Sequence, residues 1–254
     1  MSVTKGIAFA AGGVKGAAHV AFLEKSGDVF DVITGSSIGA VVGGLYALYG
    51  EPALVKDITF SLMKKHFEDL KKTESENTWR GLFQRSLFKA DLLFSVLKEA
   101  FGRKKFSDCK KTLGVVVFDT ENMDSLLVTE GFLIDAVVAS SSVPGYFEPI
   151  WIGGTPCLDG GVLAPTPVSQ ARELGADFVV ASAFNRERKD GFKNHFEMFF
   201  VMDRWKEILL EREELSKADF VVMHDVNEPW NAFDKYEEIY RKVLKNLRGV
   251  ILPW

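Results

Sequence analysis

A strand, a glycine-flanked serine and a helix follow one another within residues 29–50, and this succession constrains the fold more than any other stretch. Residues 29–34 form a short apolar, β-branched run of the kind found in buried strands. From Ile38 onward, apolar residues recur at helical spacing until Gly50. A strand that turns directly into a helix is typical of α/β folds, in which the turn lies at the carboxyl end of a parallel strand.

The turn itself fits the pattern GxSxG, with Ser37 at its centre between Gly35 and Gly39. Glycines at these positions avoid steric clashes where a strained turn brings strand and helix together. The Ser37 hydroxyl is then expected at a helix N-terminus, where unpaired N–H groups favour a developing negative charge. These features predict that Ser37 is a nucleophile. The alternative is a turn of small residues in which Ser36 or Ser37 only caps the helix.

A glycine-rich loop, residues 11–16, lies between a predicted strand at 6–10 and a predicted helix at 17–25. Consecutive N–H groups in such a loop can bind an anion, either a phosphate or the oxyanion of an acyl-transfer intermediate. A phosphate loop requires serine or threonine after its lysine, whereas Lys15 is followed by Gly16. The oxyanion interpretation is therefore favoured.

Residues 52–108 are predicted to be helical and contain many phenylalanines among lysines. The simpler interpretation is core packing by amphipathic helices with solvated lysine faces. The alternative is a helical cap that admits an acyl chain or touches a membrane surface. His66, in this region, is expected at the surface and not as a catalytic base.

Asp159 is the best-placed acid for a serine nucleophile, since it stands after an apolar residue and before Gly160 and Gly161. The two glycines allow the backbone to approach another loop closely. The alternative for an Asp-Gly pair is an Asx-turn in a hairpin. The serines at 140–142, which end a predicted helix, are expected to form hydrogen bonds near the wall of the same pocket.

Strand and helix signals alternate through the remainder of the chain. Strands are predicted at 113–119, 125–129, 178–183 and 220–223, and helices at 131–142, 168–174, 196–216 and 232–247. This alternation predicts an α/β three-layer sandwich, in which helices cover both faces of a mostly parallel central sheet. With 254 residues, 47% of them hydrophobic, we expect a single domain spanning 1–254 around one large core.

Charge and cysteine content exclude several classes of function. The net charge of −4 argues against a nucleic-acid partner. Cys109 and Cys157 are far apart and belong to no metal-ligand motif, so we expect no structural metal, disulfide or cofactor. Because Met1 leads directly into a strand and no apolar run is long enough to span a bilayer, we expect a cytoplasmic protein without a signal peptide.

The order and spacing of the glycine loop, the GxSxG turn, the serine- and proline-rich turn at 139–149 and the Asp-Gly-Gly motif resemble the patatin-like phospholipase family. The resemblance implies an acyl hydrolase with a serine/aspartate dyad, acting on a lipid or acyl-ester substrate without a cofactor or metal. Ser37 matches the nucleophile and Asp159 the base. The oxyanion hole matches the loop Gly12, Gly13, Val14, Lys15 and Gly16. Apart from the resemblance, the expected location is cytoplasmic, with peripheral contact at the inner face of a membrane.

This sequence departs from the family at Ala11, where a third glycine is common, and at Lys15, where arginine is common. It also has Ala164 and Pro165 where the family often has asparagine before proline. A triad that uses His19 is a further alternative. Acyl transfer and non-catalytic lipid binding on the same fold stay open as functions, and so does the oligomeric state.

Overall fold

The computed structural model describes residues 3–74, 90–186, 191–192 and 195–253. The strands are β1 (Lys5–Phe9), β2 (Val32–Ser36), β3 (Thr112–Asp119), β4 (Asp124–Val128), β5 (Ile150–Ile152), β6 (Thr155–Asp159), β7 (Phe178–Phe184) and β8 (Phe220–His224). The α-helices are α1 (Gly16–Ser26), α2 (Ile38–Tyr49), α3 (Pro52–Glu74), α4 (Asp91–Phe101), α5 (Leu133–Ser140), α6 (Val168–Glu173), α7 (His195–Leu215) and α8 (Tyr236–Asn246).

These strands form one sheet in the order β5-β6-β3-β2-β1-β7-β8, and β4 also pairs with β3. Within this order, each strand of the series β3-β2-β1-β7-β8 pairs parallel with the next. In contrast, β4, β5 and β6 pair antiparallel. The α/β class with a mostly parallel sheet, predicted from the sequence, is confirmed.

Alternating residues of β1 face two helical layers of unequal size. Ile7 and Phe9 belong to the larger core cluster, to which α1–α5 and α8 contribute apolar side chains. Ala8 belongs to a smaller cluster on the opposite face, together with Val168 and Ala171 of α6. Ala218, in the segment that follows α7, packs against this second cluster. The sheet is therefore covered on both faces, as in the predicted three-layer sandwich.

The region predicted as a helical cap, residues 52–108, contributes α3 and α4. Their buried residues, among them Met63 and Leu97, join the larger core cluster. His66 is half-buried, with its ring 4.6 Å from that of Phe233, so it is less exposed than expected for a surface histidine. The polar part of this region and several of its phenylalanines lie outside the described residues, and a cap function stays a prediction.

The structure corrects three local predictions. A hairpin of β5 and β6 occupies residues 150–159, where no strand was predicted. The fifth helix is shorter than predicted, because Gly131 has a φ of +89° and Phe132 is extended, so the helix starts after them. Strand β2 begins at Val32 and not at residue 29. The chain first reaches β1 at Asp31, whose N–H donates to the carbonyl of Lys5, and the strand starts at the next residue.

Within the described part of the chain, every helix is too short or too polar to cross a bilayer.

Candidate active site

Ser37 lies in a strained turn between β2 and α2. Its φ of +55° and ψ of −125° are rare for a residue with a side chain. A Cβ at Gly35 would lie 2.3 Å from the carbonyl oxygen of Gly39, and a Cβ at Gly39 would lie 2.2 Å from that of Phe9. Only glycine fits at these two positions. The turn therefore has the steric requirements predicted from GxSxG.

Strand β3 brings Asp159 next to Ser37. Because β4 occupies one edge of β3 along residues 115–119, β2 and β6 must share the other edge. On that edge Ser36 lies opposite Val116, and Asp159 lies opposite Val117. The carboxyl ends of β2 and β6 thus meet head to head. This arrangement depends on the hairpin that sequence reasoning missed.

Asp159 is almost fully enclosed, with 5% of its surface exposed. Its Oδ1 accepts a hydrogen bond of 2.8 Å from the N–H of Gly161, and the Ser37 side chain also hydrogen-bonds to the carboxylate. Burial disfavours the charged form and raises the pKa of Asp159 to about 7, although both hydrogen bonds lower it. A carboxylate with this pKa can accept a proton from a hydroxyl group near neutral pH.

Two serines at the end of α5 hold the turn and the acid in place. The Ser140 hydroxyl accepts from the N–H of Ser37 at 2.9 Å and donates to the carbonyl of Val116 at 2.6 Å. The carbonyl of Ser142 accepts from the N–H of Asp159 at 3.0 Å. Both serine side chains are fully buried. The predicted role as hydrogen-bonding residues thus agrees with the contacts of Ser140 and Ser142, whereas the buried hydroxyl of Ser141 has no hydrogen-bond partner among the described residues.

The glycine loop packs against the segment that precedes α8. The N–H of Val14 donates to the carbonyl of Trp230 at 2.8 Å. Gly13 has a φ of +57°, and a Cβ there would lie 2.2 Å from the same carbonyl oxygen. The ring of Trp230 contacts that of Tyr146 edge to face, at 5.2 Å between centroids. One aromatic pair thus links this segment to the turn after α5.

Not every N–H group of the predicted oxyanion loop is available. In addition to Val14, Lys15 donates to the carbonyl of Gly12 at 3.2 Å, and the N–H of Gly16 bonds to carbonyls within the same turn. In the part of the chain that the structure describes, no acceptor contacts the N–H groups of Gly12 and Gly13. These two groups are the donors that remain for an anion.

The Lys15 side chain is buried, with 9% of the residue exposed. Its ammonium lies 5.8 Å from the centroid of the Phe184 ring. Burial lowers the pKa of Lys15, and the nearby charge of Arg186 lowers it further. Arg204 also lowers the pKa of Lys15, whereas Glu207 and Glu228 raise it.

His19 does not contact Ser37. Its Nε2 lies 2.9 Å from the carbonyl oxygen of Ala10 and its Nδ1 lies 2.8 Å from the Ser182 hydroxyl, which in turn lies 2.8 Å from Nε2 of His224. Since a carbonyl only accepts, the proton of His19 is on Nε2, and its Nδ1 accepts from Ser182. Both ring nitrogens are therefore engaged elsewhere, which argues against a triad with His19.

Four residues near the site were not singled out from the sequence. Arg186 follows β7, Thr166 follows the Asp-Gly-Gly motif, and Glu207 and Glu211 lie on α7. Of these four, only Arg186 could have been recognised from the sequence, because polar residues just beyond the carboxyl ends of parallel strands often line a site. The others are distant in the chain, and only folding brings them together.

Comparisons with known proteins agree with this architecture. A lysophospholipase of Neurospora crassa is 29% identical over 69% of this chain, and one of Debaryomyces hansenii is 31% identical over 69%. The matched part covers 12% and 11% of those proteins, so this chain spans a small part of their length. The solved structure of VipD from Legionella pneumophila matches 95% of this chain and 67% of its own, with a TM-score of 0.50 and 14% identity. At that identity, the likeness concerns the fold alone.

The match to a family of known proteins includes the residues of the candidate site. The sequence profile described as patatin-like phospholipase matches residues 7–172, which is more than half of the chain. The matched span includes the glycine loop, the turn at Ser37 and Asp159. The chain therefore belongs to the patatin-like phospholipase family.

Proposed function

We propose that this chain is a serine acyl hydrolase that cleaves fatty-acyl ester bonds of lysophospholipids or related phospholipids. The observation that carries the proposal is the contact between Ser37, in its strained turn, and a buried carboxyl group with a pKa of about 7. A hydroxyl nucleophile requires a base whose pKa lies close to the working pH. Asp159 meets this requirement without a histidine.

In the proposed reaction, Asp159 accepts the Ser37 proton while Oγ attacks the carbonyl carbon of the ester. The negative charge that develops on the carbonyl oxygen is stabilised by the N–H groups of Gly12 and Gly13, each contributing about 3 kcal/mol. The ester C–O bond then breaks, and Asp159 returns the proton to the departing alcohol. Water attacks the acyl-enzyme and gives a proton to Asp159, which passes it to Ser37 as the fatty acid leaves.

The substrate class rests on the relatives, which are named lysophospholipases. A lysophospholipid carries one acyl chain and lies at the surface of a membrane or micelle. The peripheral membrane contact expected from the sequence is part of this proposal, and so is a cytoplasmic location. Acyl transfer to an acceptor other than water, and lipid binding without catalysis, are the alternatives that an experiment must separate.

Labelling with a fluorophosphonate, combined with release of fatty acid from lysophosphatidylcholine, tests the proposal. The native protein should be labelled and should release fatty acid, and Ser37→Ala should do neither. Ser36→Ala is the matched control, since the neighbouring Ser36 hydroxyl donates to the carbonyl of Ala164 at 2.7 Å and is expected to play no part in the chemistry. It should retain labelling.

Each other outcome points to a different function. Labelling followed by transfer of the acyl group to an added alcohol, with little release by water, would identify an acyltransferase. Absence of labelling in the folded native protein would contradict catalysis and favour a lipid-binding role.

A further inference from the structure

Four hydrogen bonds close a ring between the glycine loop, the loop after β6 and α7. The N–H of Ala11 donates to the carbonyl of Pro165 at 2.8 Å, and the adjacent Thr166 hydroxyl donates to Glu211 at 3.0 Å. Arg186 donates to the other oxygen of Glu211 through Nε, and to the carbonyl of Ala11 at 3.2 Å through Nη2. Ala11 immediately precedes the two N–H groups that remain for the oxyanion.

The ring lies in the interior of the protein. Thr166 is fully buried, Glu211 is 4% exposed, Ala11 is 8% exposed, and the Arg186 side chain is 7% exposed. Hydrogen bonds to charged groups are stronger than neutral ones, and the loss of one partner leaves an uncompensated buried charge. Water cannot easily take the place of Arg186 here. The ring is therefore suited to hold two loops at a set separation.

The ring also contacts the base side of the site. A Cβ at Gly161 would lie 2.8 Å from the methyl group of Ala11, so the two loops are in direct contact where the N–H of Gly161 bonds to Asp159. Arg186 pairs as well with Glu207 through Nη1. The charge of Arg186 lowers the pKa of Asp159 and that of Glu207 raises it, so charges of this cluster act on the carboxyl group of the site.

We propose that Arg186 and Glu211 are positioning residues, which hold the glycine loop against the loop of Asp159 so that oxyanion donors and base face the same reacting carbonyl. This inference rests on the proposed acyl hydrolase function. Neither residue touches the substrate; each acts through Ala11 and the loop after β6. Misplacement of catalytic groups by about 1 Å costs up to about a hundredfold in rate.

Arginine is required because three separate acceptors surround one side chain. Its planar fork offers donors in several directions, whereas the single ammonium of lysine cannot reach both carboxylates and the Ala11 carbonyl together. Arg186→Lys should therefore keep the positive charge but only part of the native kcat. Thr166→Val removes a single hydroxyl from the ring while Glu211 keeps its bond to Arg186, so it should have the mildest effect.

The experiment compares kcat, KM and the pH dependence of kcat for the native protein, Arg186→Gln, Arg186→Lys and Thr166→Val. Arg172→Gln is the matched control, because Arg172 also donates to backbone carbonyls and pairs with an acid, Asp219, on a part-exposed surface.

In Arg186→Gln we expect kcat to fall about tenfold to a hundredfold with KM changed less than about threefold. The acid limb of kcat should also move to higher pH, since a cation that lowers the pKa of Asp159 is lost. Arg172→Gln should show neither change.

Hydrogen exchange at residues 10–16 supplies a readout that does not need activity. Faster exchange in Arg186→Gln than in Arg172→Gln is expected. If the native protein is active, an unchanged kcat and acid limb in folded Arg186→Gln would overturn the inference. If the native protein neither hydrolyses ester nor takes the label, the proposed function fails, and the exchange data alone decide: equal exchange in the two variants would overturn the positioning role.

Discussion

Two buried polar groups adjoin the glycine loop, and they differ in how completely their hydrogen bonds are satisfied. In the chain His19–Ser182–His224, each ring nitrogen of His19 and the bridging hydroxyl have a partner at 2.8–2.9 Å. In the pair Ser37–Asp159, the carboxylate is held by one backbone N–H and by the serine itself. Both ring nitrogens of His19 are thus engaged, whereas the carboxylate of Asp159 keeps capacity for a proton.

The pKa values express the same difference. Burial lowers the pKa of His19 to about 4 and that of His224 to about 3, so both rings are neutral and do not titrate near neutral pH. Burial raises the pKa of Asp159 to about 7, where the carboxyl group exchanges a proton readily. Equal burial thus makes one group structural and the other suited to acid–base chemistry. The difference arises because burial favours the neutral form of each group, which raises the pKa of an acid and lowers that of a base.

The largest effect is expected for Asp159→Asn. Asparagine keeps the shape and can accept from Gly161, but it cannot take the Ser37 proton. We expect kcat for lysophosphatidylcholine to fall about a thousandfold, within the range found for the loss of a general base. Steady-state kinetics on folded protein would measure this. A variant that retained more than about a tenth of the native rate would remove Asp159 from the role of base.

The pH dependence of the native rate sharpens the contrast between the two groups. Because Asp159 must be charged to accept a proton, kcat should rise about tenfold per pH unit below pH 7 and level off above it. If a histidine of the chain His19–Ser182–His224 were the base, the midpoint of the pH dependence of kcat would lie near pH 3–4. A rate that stayed constant down to pH 5 would show that Asp159 does not control the reaction.

Stability should depend on pH with opposite signs for the two groups. Asp159 has a folded-state pKa of about 7 against an ordinary 3.8, so its contribution to stability is full below pH 3.8 and is lost as pH rises through 7. His19 and His224 have lowered values, so their contribution is full above pH 6.5 and is lost as pH falls toward 4.

Urea unfolding of the native protein and of Asp159→Asn between pH 5 and 8 isolates the first contribution. The variant should gain about 1–3 kcal/mol relative to the native protein over this range, because it has no buried charge to form. A constant difference between the two proteins would mean that Asp159 titrates normally in the folded state.

The smallest effect on activity is expected for Ser182→Ala. The change leaves the buried N–H of His224 and the Nδ1 of His19 without their partner, and should lower the free energy of unfolding by about 1–3 kcal/mol. Ser216→Ala, at an exposed serine, should change it by less than about 0.5 kcal/mol. In both variants kcat should stay within about threefold of native. Loss of activity in folded Ser182→Ala would bring the histidine chain into the reaction.

Local patterns in the sequence predicted a large part of the fold. The helix boundaries of α1, α6 and α7 lie within one residue of the predicted ones, because glycine, proline or polar residues flank them in the sequence. The hairpin of β5 and β6 was missed, since its strands are short and carry no clear alternation around the turn at Gly153 and Gly154. That hairpin is the element that carries Asp159.

The sequence by itself determined the turn at Ser37, because a Cβ at Gly35 would meet the carbonyl of Gly39, only four residues along the chain. The glycines of the loop at 11–16 were visible in the sequence, but the close contact at Gly13 is with the distant carbonyl of Trp230 and was decided by the tertiary structure. The pKa of Asp159, the engagement of His19 and the ring through Arg186 were decided only by the tertiary structure. These properties depend on burial and on partners distant in the chain, which the sheet register and the packing of α7 supply.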